Sequence, residues 1–100
     1  MMLNCGELDG VRILEESTVK MIMSDQLPPE VKYSDEAGYG LGGQVNLETG
    51  VYVWGGAAST NFWIDPANDM VVICYAQLMP SDHSYAYVFA DFVTRALLKE

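Results

Sequence analysis

The sequence predicts an α+β chain: an antiparallel β-meander of three to four strands, a C-terminal amphipathic helix packed on one face, and a short N-terminal helix. Three observations carry this. YVWGGAASTNFWIDP, from Tyr52 to Pro66, reads as a strand ending in a glycine pair, then a second strand and a turn. The run MVVICYA, from Met70 to Ala76, is almost continuously apolar and of strand length. Tyr85, Val88, Phe89, Phe92, Val93, Ala96 and Leu97 then recur at i, i+3, i+4 and i+7, one face of a helix. A run of strands followed by an amphipathic helix segregates the helix to one side of the sheet.

The elements follow in order. Residues 1–4 read as the end of an element that begins upstream. Gly6 and Gly10 punctuate a turn, and residues 11–14 are extended. Ser17 can cap a helix over residues 18–24, with Val19, Ile22 and Met23 on one face, and Pro28-Pro29 ends it. Residues 30–37 are polar and turn-prone, and residues 38–43 hold four glycines. Residues 44–47 and 51–56 form strands around a reversal at Glu48-Thr49-Gly50. Residues 59–65 alternate in part, and Asp65-Pro66-Ala67-Asn68-Asp69 has hairpin chemistry leading into MVVICYA. The last helix starts near Ser81 or Asp82, either of which can cap it, and Arg95 and Lys99 fall in its final turns, where the helix dipole favours cations.

One hundred residues with no internal repeat and no linker read as a single domain, residues 1–100. The net charge is −9, from 14 acids against 5 scattered bases. Phosphate backbones need clustered cations, and anionic membrane surfaces need basic patches, so neither nucleic acid nor membrane is an expected partner. No segment approaches the ~18 apolar residues of a membrane span, and MMLNCGELDG lacks the basic and apolar regions of a secretory signal. The cytoplasm is then the default location. Cys5 and Cys74 with the lone His83 cannot make a standard zinc site, so no metal or other cofactor is expected; Cys74, inside the apolar run, reads as an inert core thiol.

MVVICYA poses a problem of neighbours. Strands with one wet face alternate, whereas strands covered on both faces do not. This one has a sequence-local partner before it and none after it. A bare hydrophobic edge invites another chain, and leaving about 400 Å² of apolar surface wet forgoes about 10 kcal/mol at about 25 cal/mol per Å². The expectation is a homo-oligomer, most simply a two-fold dimer pairing this strand with its copy, or else a partner chain that supplies the missing half of the sheet.

Residues 4–14, NCGELDGVRIL, with Ser17-Thr18-Val19-Lys20, resemble the late helical segment of serine β-lactamase-like proteins. Gly38-Tyr39-Gly40-Leu41-Gly42 is similar to the glycine-rich strand that follows there. Trp54-Gly55-Gly56-Ala57-Ala58-Ser59-Thr60 and Phe62-Trp63-Ile64-Asp65-Pro66 resemble that family's active-site strand and next hairpin. The flavour is that of class C β-lactamases, family VIII carboxylesterases and penicillin-binding-protein-like proteins, whose parent enzymes can be periplasmic. The match covers nearly the whole chain, in order, but only the C-terminal quarter to third of such an enzyme. It implies a partial β-lactamase-like fold in which Trp54, Gly55, Gly56 and Ala57 line a substrate site and the Ala57 backbone N–H is an oxyanion-type donor. Such a donor is worth about 3 kcal/mol to a transition state. The family's Lys-Thr-Gly lysine is absent, which places β-lactam carboxylate recognition in doubt.

Two elements mimic the family's machinery. Ser17 and Lys20 have the Ser-x-x-Lys spacing of its nucleophile, yet this segment matches a late helix, and a serine there is expected to cap. Ser59-Thr60-Asn61 mimics a Ser-x-Asn element but falls just past the glycine-pair strand and reads as strand and turn. His83 reads as a solvated cap rather than a general base. The expectation is a C-terminal fragment of a β-lactamase- or esterase-like hydrolase, inactive alone because the nucleophile helix is absent. The alternatives are a serine hydrolase completed by a dimer mate or a second chain, and a small-molecule binding module using apolar area beside Trp54 and Trp63.

Overall fold

The computed structural model describes residues 1–97. A two-stranded hairpin, β1 (Glu7–Leu8) and β2 (Val11–Arg12), precedes helix α1 (Glu16–Ile22). A five-stranded antiparallel sheet follows: β3 (Ala37–Tyr39), β4 (Gln44–Asn46), β5 (Tyr52–Gly55), β6 (Asn61–Asp65) and β7 (Met70–Cys74). Helix α2 (Ser84–Leu97) comes last. The strand order β3-β4-β5-β6-β7 is the meander that the alternation predicted, with β3 as an additional strand. By contacts the chain divides into two compact units. One comprises Met1–Trp54 and Trp63–Val72, the other Gly55–Phe62 and the described residues from Ile73 onward.

In the first unit, Asp9-Gly10 closes the β1–β2 hairpin. Leu8 pairs with Val11, and both turn residues are left-handed (φ 51° and 79°), the conformation a two-residue loop needs to match strand twist. Helix α1 buries Val19, as its apolar face predicted, but its ends differ from expectation. Ser17 lies inside the first turn, and the capping position belongs to Glu15, whose carbonyl accepts from the amides of Thr18 and Val19 at 3.0 and 3.2 Å. The helix stops at Ile22, well before the prolines. Ser24 Oγ and Gln26 Nε2 both donate to the Met21 carbonyl (3.3 and 3.0 Å), which backbone amides of the helix end also approach.

The segment after α1 runs along β3. Gln26 N donates to Tyr39 O at 2.9 Å, and Asp25 Oδ1 accepts from Tyr39 N at 3.0 Å. A β-carbon at Gly38 would sit 2.3 Å from Asp25 Cγ, and one at Gly40 would sit 2.1 Å from the Ile22 carbonyl oxygen. The glycine cluster is therefore what allows this backbone to lie against β3. Val45 and Tyr52 face each other across β4 and β5 and are buried, while Gln44 and Val53 form the adjacent pair in the register. Ile64 and Ala37 complete this unit's core, and Tyr52 Oη donates to Leu41 O at 3.0 Å. Burial pushes the Tyr52 phenol above its ordinary value. The predicted turn after β6 is closed by Asp65, whose Oδ1 accepts from Asn68 N (3.2 Å) and Oδ2 from Asn68 Nδ2 (2.7 Å).

Strand β7 ends at Cys74, so Tyr75 and Ala76 lie outside it. Cover on both faces is not what the chain by itself provides. Burial alternates along β7, with Val71 48% and Ile73 55% exposed and Cys74 buried. The run's apolar character therefore exceeds what its own fold conceals. In the second unit, α2 carries the predicted stripe, but no described residue of it is buried, and Val88 and Phe92 are 59% and 63% exposed. The stripe is set by sequence period; whether anything covers it is a matter of packing. Arg95 pairs with Asp91 at 2.7 Å, one turn away; Lys99 lies outside the described residues.

Candidate functional site

The sequence places the site on the glycine-pair strand. Trp54, in the first unit, ends that unit's share of β5; it is 41% exposed and meets the Tyr39 ring edge-on at 5.4 Å. Gly55 and Gly56 open the second unit. Beyond them the chain makes a three-residue hairpin loop. Gly56 N donates to Thr60 O at 2.8 Å, Ser59 N donates to Gly56 O at 3.1 Å, and Ser59 is left-handed at φ 67°. This is a turn followed by a bulge residue, the usual three-residue solution. Ala57 occupies the corner, exposed to solvent. The loop is closed by the amides of Gly56 and Ser59, which leaves the Ala57 amide outside those closing bonds.

A segment before α2 locks this loop in place, with Ser59 at its centre. Ser59 is 0% exposed. Its Oγ donates to Leu78 O (2.8 Å) and accepts from Asp82 N (2.9 Å), and Leu78 N donates to Ala58 O (3.1 Å). Its hydroxyl is thus fully employed, and Ser59-Thr60-Asn61 is strand and turn, as its sequence context predicted. The Ser59 carbonyl accepts from Tyr85 Oη, which also reaches Cys74 O at 3.5 Å, and from Asn61 Nδ2 at 3.3 Å.

Asn61 Nδ2 lies 2.9 Å from His83 Nδ1 and 3.4 Å from Tyr85 Oη. The imidazole rests against the first glycine: a β-carbon on Gly55 would approach His83 Cε1 to 2.9 Å and Asn61 Oδ1 to 3.2 Å. At Gly56 it would meet Thr60 Oγ1 at 2.2 Å. The space beside both glycines is therefore occupied by side chains of the same unit. His83, expected as a solvated cap, is instead half-buried in this network. Capping falls to Asp82, whose Oδ1 accepts from Ser84 N at 2.9 Å, and that hydrogen bond holds its carboxyl below the ordinary range.

The Ser17-Lys20 pair does not form the arrangement that nucleophile activation requires. Lys20 Nζ pairs with Glu16 Oε1 at 2.6 Å and is 68% exposed, and this partner raises the ammonium and lowers the carboxyl. A lysine held as a cation cannot take a serine proton. Cys74 is a buried free thiol that burial pushes up, in keeping with an inert core role, and Cys5 is also unpaired. Asn61, His83 and Tyr85 are the residues that sequence reading missed as a group. They lie 22 and 24 positions apart, so no short-range spacing announces them.

No protein-family description matches this sequence, and no curated protein matches it. Six chains among solved structures do. One is simvastatin synthase (LovD) from Aspergillus terreus in its unliganded form, with a TM-score of 0.67 and 20% identity over 80% of this chain and 26% of that one. The chain thus spans about a quarter of that neighbour's length. At this identity the likeness establishes the fold: the chain has a β-lactamase-like architecture, in α+β form with an antiparallel sheet.

Proposed function

We propose that this chain is the C-terminal portion of a β-lactamase-like serine hydrolase or acyl-transfer domain. In this reading it contributes the acyl-binding edge Gly55-Gly56-Ala57, with Trp54 leading into it, and does not catalyse alone. The observation that carries the reading is the uneven overlap of folds: four-fifths of this chain corresponds to about a quarter of its neighbour. The Ala57 amide, at an exposed corner and outside the bonds that close its turn, is the oxyanion-type donor. Covalent catalysis needs an activated nucleophile, and the one Ser-x-x-Lys spacing is spoken for by the Glu16–Lys20 pair.

The test is hydrolysis of a p-nitrophenyl ester and of a chromogenic cephalosporin by the purified chain. The expected result is no rate above background, unchanged in Ser17→Ala. Turnover abolished by Ser17→Ala would overturn the reading in favour of a hydrolase assembled around Ser17 and Lys20.

We further propose that the chain self-associates through β7. It is the terminal strand of the sheet, and it exposes Val71 and Ile73 on a run composed almost wholly of apolar residues. A dimeric elution at tens of micromolar, returned to monomer by Ile73→Lys, is the expected outcome, since an edge lysine blocks strand pairing. A monomeric wild type that dimerises with no copy of itself, yet binds a polypeptide carrying the rest of the fold, would identify the occupant as a second chain instead.

A further inference from the structure

The charges of this chain are unevenly divided between its two units. The first unit holds eleven of the 14 acids and, against them, Arg12, Lys20 and Lys32, a net −8. The described residues of the second hold only Asp82, Asp91 and Arg95, a net −1. Asp82 accepts from Ser84 N at the start of α2, and Asp91 and Arg95 pair with each other one turn apart. The helix surface is thus close to neutral. It is also apolar where it meets water. Tyr85, Ala86, Ala90 and Val93 are the half-buried residues of α2, so the helix rests largely on small side chains. Val88 and Phe92, neighbours one turn apart on another face, stay 59% and 63% exposed. By helical spacing Asp91 and Arg95 form the row beside them.

We infer that α2 is a self-recognition surface: a second copy docks its own α2 antiparallel across Val88 and Phe92, with Asp91 of each copy facing Arg95 of the other. Two arguments select a second copy as the occupant. A chain at net −9 repels itself, and the second unit is where that repulsion nearly vanishes. The pattern on α2 is also complementary to itself. A two-fold axis passing near Phe92 sets that ring against its own copy and Val88 against Ala96, and it brings the acid of each helix beside the base of the other. A row of one sign would repel its copy there. The inference rests neither on the acyl edge nor on pairing through β7, and it adds a helical interface to the self-association proposed above.

The test is sedimentation equilibrium of the whole chain at tens of micromolar, with circular dichroism reporting that each variant keeps its helix content. The wild type is expected to be a dimer. Phe92→Asp, which sets a charge into the contact, is expected to weaken it by more than about tenfold. Asp91→Arg alone and Arg95→Asp alone each place like charges across the two-fold and are expected to weaken it by about three- to tenfold. An equimolar mixture of those two chains is expected to dimerise as the wild type does, because each supplies the sign the other lacks. A fault in folding would not be repaired by mixing. Single-charge variants that dimerise like the wild type, or a mixture that stays monomeric, overturn the inference. So does a monomeric wild type, and its binding to phosphatidylcholine vesicles, or to a polypeptide carrying the rest of the fold, would then name the occupant. A dimer broken by Ile73→Lys but indifferent to Phe92→Asp and to the charge variants overturns it too, and leaves the β7 reading standing. A dimer that obeys the mixing rule and tolerates Ile73→Lys supports the helical interface and refutes β7.

Discussion

Replacing Ser59 by alanine isolates the contact that holds the site's loop. The hydroxyl makes two hydrogen bonds, to Leu78 O at 2.8 Å and from Asp82 N at 2.9 Å, from a side chain that is wholly buried. Each neutral bond contributes about 1 kcal/mol net. Leu78 and Asp82 are themselves exposed, so water can reach the orphaned groups and the desolvation penalty stays at its low end. The loss is thus about 2 kcal/mol, a sizeable share of the ~5–15 kcal/mol that holds a domain together. Ser59→Gly removes the same bonds but relieves the left-handed backbone at φ 67°, which costs a residue with a β-carbon about 1 kcal/mol. Glycine should therefore be milder than alanine by about 1 kcal/mol. Urea unfolding followed by far-ultraviolet circular dichroism measures both, with the denaturant slope checked for constancy. An alanine variant within about 0.5 kcal/mol of wild type, the usual scale of a neutral surface change, or a glycine variant worse than alanine, would refute the assignment of Ser59 as a lock.

Gly40→Ala and Gly50→Ala separate crowding from backbone strain. The first places a β-carbon 2.1 Å from a backbone oxygen and should cost at least about 2–3 kcal/mol, while the second meets nothing within 4 Å and should cost only the ~1 kcal/mol of its left-handed φ of 75°. Denaturant midpoints decide between them. Asp82 has a folded-state pKa below its unfolded one, so its contribution is present above the unfolded value near ~3.9 and is lost as pH falls through the lower folded value. Asp82→Asn should flatten that acid limb in a stability–pH series while retaining the cap. A thiol reagent should modify Cys5 rapidly and Cys74 only at the rate of opening, because Cys74 is buried and its thiol is pushed up; two equal fast phases would contradict this. Raising salt should weaken the exposed Glu16–Lys20 pair with little change in overall stability.

The legible parts of this chain are those decided within a few residues. The strand at Tyr52, the turn at Asp65-Pro66, the apolar run from Met70 and the stripe of α2 all rest on local period or turn chemistry, and all four stand in the structure. Two signals were present but under-read. Asp9-Gly10 between Leu8 and Val11 is a hairpin signature. The glycines at residues 38 and 40, likened to a glycine-rich strand by resemblance, could also have marked the close approach of backbone and side chain to it. Helix ends were less legible, because the cap at Glu15 and the stop at Ile22 depend on side chains that also serve the next segment.

By itself, then, the sequence determined the α+β class, the meander, the glycine pair and the reading of Ser59-Thr60-Asn61 as strand and turn. Each follows from side-chain period, from the φ freedom of glycine, or from position along a strand. Only the tertiary structure decided that burial alternates along β7 and leaves Val71 and Ile73 bare, that no described residue of α2 is buried, and that His83 sits on Gly55 under the hold of Asn61. Those outcomes depend on which atoms meet across more than twenty residues of chain, and a hydrogen-bond partner at that separation leaves no trace in local pattern.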